Sequence, residues 1–162
     1  MSNNISLYIA AYNAEKTIEK SIKSILQQTL KPKEIIIIND CSTDKTLNLL
    51  KKFSQIKIIN NKKNYGLAKS RNIALKYSKY NFLASIDSDV VCKKNWLETL
   101  FNTMVKKKAD LIGGKLIDKY IKEPANHWRS YYLKQNWGDK QINNPQFVFG
   151  ANFLLDKKKL KT

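Results

Sequence analysis

Short apolar runs alternate along the chain with segments whose apolar residues recur at helical spacing. Ile5 to Ala11 is an apolar run that turns polar at Tyr12-Asn13, and Ile18, Ile22, Ile25 and Leu26 follow at a helical period. A strand feeding a helix is predicted. Lys31-Pro32-Lys33 breaks that helix, and Glu34-Ile35-Ile36-Ile37-Ile38-Asn39 is an unbroken β-branched run, the mark of a strand covered on both faces. Ser42 or Asp44 can cap a second helix carrying Leu47, Leu50 and Phe53, and Ile56 to Ile59 gives a third strand. Gly66 opens a third helix as far as Tyr77, Phe82 to Ile86 is a fourth strand, and Trp96, Leu97, Leu100, Phe101 and Met104 form the stripe of a fourth helix. Ala109 to Ile117, with Gly113-Gly114, reads as another strand. Periodicity is lost between Asp118 and Pro145, Gln146 to Leu155 is extended again, and Lys157 to Thr162 starts a further helix.

Strands alternating with helices at these lengths predict an α/β fold, a mostly parallel doubly wound sheet with right-handed crossovers. The ligand crevice of such a sheet lies at the carboxyl ends of its strands. With 162 residues the chain supports one domain and one hydrophobic core, burying roughly 70% of its unfolded surface. Five glycines and three prolines leave no low-complexity linker, and no internal repeat is present.

Composition excludes some classes and leaves others open. The 43% hydrophobic content argues against disorder, and no apolar stretch nears the roughly 20 residues of a membrane span. Met1-Ser2-Asn3-Asn4 lacks a basic region ahead of its apolar run, so a signal peptide is not expected and cytoplasmic residence is. Cys41 and Cys92 have no zinc-ligand spacing around them, since the one histidine, His127, is far away, and free thiols are expected. The net charge of +17 suggests affinity for polyanions: nucleic acid, anionic lipid or a phosphorylated substrate. Individual runs such as Lys51-Lys52, Lys106-Lys107-Lys108 and Lys157-Lys158-Lys159 read as solvated helix ends. Nucleic acid is not the expected partner, because there is no zinc-finger spacing and no aromatic RNP-like strand.

Candidate chemistry concentrates at the strand ends. Asp87-Ser88-Asp89 places two carboxylates just past the fourth strand, and on an extended backbone both would point to one face, suited to a hard divalent cation and a diphosphate. Ala10-Ala11-Tyr12-Asn13, Asn39 to Asp44 and Asn64 to Asn72 land on the same edge. Together with Phe149-Gly150-Ala151-Asn152, these segments resemble the family 2 glycosyltransferases with a GT-A fold, over roughly Ile5 to Leu160.

The resemblance implies a nucleotide-sugar site. The backbone of Ala10, Ala11 and Tyr12, with Asn13 and Glu15 beyond it, would line the nucleobase pocket. Asp40 would accept a hydrogen bond from the base, favouring uracil, whose single ring N–H suits a carboxylate. The other readings are that Asp40 and Asp44 cap the following helix and that Glu15 is a first-turn helix charge. Lys69 and Arg71 would face base and diphosphate, or else be helix-surface charges, and Gly66 would allow close backbone approach. Asp87 and Ser88 would lie near the ribose, with Asp89 as direct ligand of Mn2+ or Mg2+ and Asp87 as its companion. Gly150, Ala151 and Asn152 would form the acceptor side.

The implied reaction is inverting transfer of the sugar from a UDP-sugar to a glycan or glycolipid acceptor, with peripheral association at an anionic membrane. Its general base lies, in the family, beyond the strand that Phe149 to Leu155 represents, so the chain is expected to be the N-terminal portion of a longer domain. Asp156 is the remaining candidate for that base and reads first as a helix cap. The alternative is a nucleotide-sugar-binding module with little transfer. Ala10 replaces the proline of many relatives, loosening the first loop without removing a chemical group. Asn126 to Tyr132 and Asn136-Trp137-Gly138 supply aromatics for sugar stacking or for packing, with His127 in a structural role. A nucleotidyltransferase is disfavoured by the lack of a Gly-rich, Arg-Lys-bearing loop after the first strand.

Overall fold

A computed structural model describes residues 4–117, 138 and 140–160. Among the described residues six strands form one sheet in the order β3-β2-β1-β4-β6-β5: β1 is Ile5–Ala11, β2 Glu34–Asn39, β3 Lys57–Asn60, β4 Phe82–Asp87, β5 Leu111–Gly113 and β6 Asn152–Asp156. The helices are α1 (Ile18–Leu26), α2 (Thr46–Leu50), α3 (Leu67–Tyr77) and α4 (Trp96–Lys107), with a closing 3-10 turn at Lys157–Lys159. β1 pairs in parallel with both β2 and β4, and β2 with β3, while β6 runs antiparallel to β4 and β5. The expected mostly parallel α/β sheet is present, and its strand order reverses at β1.

The isoleucine run of β2 explains why that strand is internal. Ile37 and Ile35 pack with Ile5, Leu7 and Ile9 of β1 under α1 and α4, whereas Ile36 and Ile38 pack with Tyr8, Leu83 and Ala74 on the α3 side. Ile18, Ile22 and Ile25 of α1 are fully buried, and each such side chain contributes roughly 1.5–3 kcal/mol. α1 also carries a polar stripe. Ser21 Oγ donates to the Ser88 carbonyl (2.8 Å), Ser24 Oγ accepts from Cys92 N–H (3.1 Å), and Gln28 bridges the Lys93 carbonyl and Leu97 N–H. These bonds bind the segment after β4 to α1. The Cys92 thiol is half-buried, and desolvation pushes its pKa up to about 12 against the opposing bond to Ser24, leaving it an inert group.

Several elements are shorter than the sequence predicts. α2 stops at Leu50, and Phe53 packs against the core from the turn beyond it. β5 covers Leu111–Gly113 rather than Ala109 to Ile117. It ends where the Asn152 side chain fills the space beside Gly114: a Cβ there would lie 2.4 Å from Asn152 Oδ1. Of the extended stretch from Gln146, residues 152–156 form strand. The helix expected from Lys157 is a 3-10 turn whose Lys157 N–H donates to the Asn81 carbonyl at 2.8 Å and whose Lys158 N–H donates to Asp156 at 3.0 Å. The aromatics of Asn126 to Trp137, His127 among them, lie outside the described residues.

Gly66 caps α3 with φ +82° and ψ 167°, a conformation open to glycine. Among the described residues a Cβ there would have nothing within 4 Å, so packing within the fold does not demand the glycine. The requirement is conformational. Gly66→Ala is therefore expected to cost about 1–3 kcal/mol in urea unfolding, with an unchanged m-value.

A candidate nucleotide cleft at the strand-order switch

The carboxyl ends of β1 and β4 border an open cleft of about 370 Å³, within the usual size range of ligand sites. Ala10, Tyr12 and Asn13 form one wall, Leu67 at the start of α3 another, and Asp87, Ser88 and Asp89 the third. Tyr12 is half-exposed, its ring available to a ligand. This is the position where an α/β sheet places ligands.

The two aspartates are not both on extended backbone. Asp87 is the last residue of β4, and Ser88-Asp89 turn away, with Val90 N–H donating to the Asp87 carbonyl at 3.2 Å. The turn, held from below by Ser21, aims both residues into the cleft and replaces the predicted alternation as the reason they share it. Asp89 is exposed, and among the described residues its carboxylate has no hydrogen bond or ion pair. Asp87 is paired with Arg71 Nη2 at 3.2 Å. Burial raises the Asp87 pKa above the ordinary carboxylate value; the Arg71 guanidinium opposes that rise and the Asp89 charge adds to it.

Asp40 lies at the same edge, one strand beyond β1, but its carboxylate is buried. It accepts from Asn61 Nδ2 at 2.7 Å, from Tyr65 N–H at 2.9 Å and from Gly66 N–H at 2.8 Å. Asp40 thus organises the loop ahead of α3, and does not cap α2 as one reading had it. Asp44 does hold the start of α2, accepting from Thr46 N–H at 2.9 Å. Glu15 accepts from Lys45 N–H at 3.0 Å, and Asp44 in turn accepts from Glu15 N–H at 3.0 Å. Neither Glu15 nor Asp40 lines the cleft.

These bonds belong to a wider seam between the first two loops. Asn13, in the left-handed region at φ 48°, accepts from Thr43 N–H at 2.8 Å, and its own N–H donates to Ser42 Oγ at 3.0 Å. Ala14 N–H donates to Thr46 Oγ1 at 2.8 Å. Asparagine tolerates the left-handed conformation, so Asn13 can turn the chain and bond across the gap. Ala11 belongs to the core cluster with α1 and does not line the cleft.

Lys69 sits with Nζ 4.1 Å from the centroid of the Tyr65 ring, a cation–π contact outside the cleft wall. Ala151 and Gly150 form the turn ahead of β6, and Ser85 Oγ donates to the Gly150 carbonyl at 3.0 Å. Asn152 is buried, accepting from Trp96 Nε1–H at 2.7 Å and donating to the Lys115 carbonyl at 3.2 Å. Its amide is thus occupied at both ends, and Asn152→Ala is expected to lower unfolding free energy by about 1–3 kcal/mol through the orphaned indole N–H, readable by urea titration. Asp156 pairs with Phe82 at the start of β4, the opposite end of the sheet from Asp87, and acts as the 3-10 cap.

Asn61, Ser21, Ser24 and Gln28 support the site without having been singled out by sequence. The signal for the last three was a polar stripe beside the apolar one on α1. Among the described residues no group of three or more histidine, cysteine, aspartate or glutamate side chains is arranged to hold a metal. None of their helices is long and apolar enough to cross a membrane.

A family model described as Glycosyl transferase family 2 matches residues 6–162. An uncharacterized glycosyltransferase of Haemophilus influenzae is 42% identical over 145 residues, covering 86% of this chain and 45% of that protein. UDP-Glc:alpha-D-GlcNAc-diphosphoundecaprenol beta-1,3-glucosyltransferase WfgD of Escherichia coli is 38% identical over 112 residues, covering 68% of this chain and 44% of its own length. The crystal structure of S. aureus TarS 1-349 in complex with UDP superposes with a TM-score of 0.63 at 27% identity, over 74% of this chain and 38% of that one. The chain spans about half the length of the curated relatives it matches. The switch-point cleft, the mostly parallel sheet and a family match reaching from β1 past β6 agree, and the chain belongs to glycosyl transferase family 2.

Proposed function

We propose that the chain binds a UDP-sugar in the cleft between β1 and β4 and transfers the sugar, with inversion, to a glycan or glycolipid acceptor. The observation that carries this reading is Asp89, an exposed carboxylate with no hydrogen bond or ion pair among the described residues, set beside the Arg71–Asp87 pair at the switch point. The UDP complex of TarS and the lipid-linked acceptor in the name of WfgD support the donor and acceptor classes.

The residues present suit a divalent cation held jointly with the substrate. The two carboxylates that line the cleft among the described residues are too few to enclose Mn2+ or Mg2+, yet one or two carboxylates completed by phosphate oxygens and water is the usual arrangement for such hard ions. Asp89 is the direct ligand in this reading, and Asp87 its companion. Bound there, the cation would offset the charge growing on the departing diphosphate.

The protein groups orient the donor. Tyr12 offers a flat wall for the base, Asn13 and the seam to Ser42–Thr46 fix that wall, and the α1 polar stripe fixes the Asp87–Asp89 turn. An acceptor hydroxyl attacks the anomeric carbon opposite the diphosphate; the new C–O bond forms as the bond to phosphate oxygen breaks, and UDP leaves with that electron pair. The hydroxyl proton needs a base that is not among the described cleft residues, where Asp87 and Asp89 are the only carboxylates. A net charge of +17 suits peripheral attachment at the cytoplasmic face of an anionic membrane near such an acceptor.

Calorimetric titration with UDP, with and without Mn2+, tests the site, and a UDP-sugar hydrolysis assay tests turnover. Saturable, manganese-dependent binding is expected. Its absence overturns the reading, while binding without hydrolysis supports a nucleotide-sugar-binding module instead.

A further inference from the structure

The turn ahead of β6 touches the cleft through a residue that has no side chain. A Cβ built on Gly150 would lie 2.5 Å from Arg71 Nη1, 2.6 Å from Nη2 and 2.7 Å from Cζ. The bare Cα of Gly150 is therefore the floor on which the Arg71 guanidinium rests while Nη2 reaches Asp87. Among the described residues Arg71 Nε is buried without a hydrogen-bond partner, and the contacts that hold the guanidinium there are the fit against Gly150 and the pair with Asp87.

The position of Gly150 is itself fixed from beneath. Ser85 Oγ donates to the Gly150 carbonyl at 3.0 Å, and Ser85 stands opposite Tyr8 in the β1–β4 register. Tyr8 is buried on β1 and stacks edge-on against Phe153 of β6, their centroids 6.5 Å apart. A chain of contacts thus runs from the middle of the sheet, through Ser85, to the Gly150 carbonyl. None of its members faces the cleft except through Arg71 and Asp87.

We propose that Gly150 is a positioning residue for the cation-side carboxylate: by leaving room for the Arg71 guanidinium it sets how Asp87 is held, so the turn before β6 and the Asp87–Asp89 turn act as one unit. This inference rests on the cleft being the site of metal-linked nucleotide binding. It departs from the expectation that Gly150 serves the acceptor directly. Any side chain at 150 must displace the guanidinium, since the backbone behind Gly150 is tied to β4 and cannot retreat. The displaced Arg71 would leave Asp87 half-desolvated beside Asp89 with no compensating charge.

A double-mutant cycle tests this with UDP affinity in the presence of Mn2+ as readout and thermal melting as control. Gly150→Ala is expected to weaken manganese-dependent UDP binding by about tenfold, and Arg71→Ala by at least as much. Once Arg71 is alanine the space is empty, so adding Gly150→Ala is expected to change affinity by less than about twofold. If Gly150→Ala alone is too unstable to measure, the double variant is expected to melt well above it, because the clash is gone. Equal losses from Gly150→Ala in both backgrounds, or no loss in either, overturn the proposal. A wild-type chain that binds no UDP with Mn2+ overturns the underlying reading of the cleft instead, so the two failures are told apart.

Discussion

Asp89→Ala is expected to lower manganese-dependent UDP affinity by at least about 100-fold while leaving the melting temperature within a degree or two of wild type. The size follows from the role: groups that merely orient metal ligands cost 10–100-fold when removed, and a direct ligand costs no less. The stability half follows from exposure. Asp89 lies in a turn, its carboxylate without a hydrogen bond or ion pair among the described residues, and exposed substitutions of this kind fall within about 0.5 kcal/mol. Titrating UDP into wild type and variant, each with Mn2+ and with chelator, separates the effects. Metal-linked affinity retained in Asp89→Ala removes Asp89 from the proposed site.

Asp40→Ala is expected to do the reverse, costing about 2–4 kcal/mol of stability. The carboxylate is buried, and its removal strands Asn61 Nδ2 and Tyr65 N–H and weakens the start of α3 at Gly66. Hydrogen bonds to a charged group are worth about 1.5–3 kcal/mol each, and part of the loss is recovered by water entering the space. The pH dependence has a definite sign. Burial raises the pKa of Asp40, but the bonds from Tyr65 N–H, Asn61, Gly66 N–H and Ser70 outweigh it, so the folded value is below the ordinary one. Its contribution is fully present above an unfolded pKa of about 3.9 and is lost as pH falls through the lower folded value. Urea midpoints between neutral pH and pH 3 should therefore fall more steeply for wild type than for Asp40→Ala. Parallel curves would mean that folding leaves the Asp40 pKa unshifted.

The fold was legible where pattern and packing coincide. β1 and β2 were readable at both ends because their apolar runs are continuous and stop at polar residues, and the isoleucines of β2 announced burial on two faces. β5 and β6 were overestimated because their limits are set by each other: Gly114 N–H donates to the Asn152 carbonyl, and the Asn152 side chain occupies the space beside Gly114. No local pattern records that exchange.

The site was legible as a set of segments and less so as a set of side-chain roles. Asp87 and Asp89 could be placed by spacing, although a turn brings them together. Asp40 and Glu15 stood out as charges near strand ends, but the protein partners of their carboxylates were not legible. Asp40 accepts backbone N–H groups from residues 25 and 26 positions on, and Glu15 accepts one from 30 positions on. The slot for Arg71 was invisible in the same way, since a glycine in a Phe-Gly-Ala-Asn run does not say what fills the space it leaves.

The antiparallel insertion of β6 between β4 and β5 has a consequence for how the molecule is made. β6 comes from the last part of the described chain, yet it occupies a central lane whose flanks, Phe82–Asp87 and Leu111–Gly113, leave the ribosome earlier. Until residue 156 has emerged, the nascent polypeptide exposes an unsatisfied backbone edge along β4, the kind of surface that recruits other chains. Chaperone cover during that interval, and a tendency of shortened versions ending before Asn152 to self-associate, are what this order of synthesis entails.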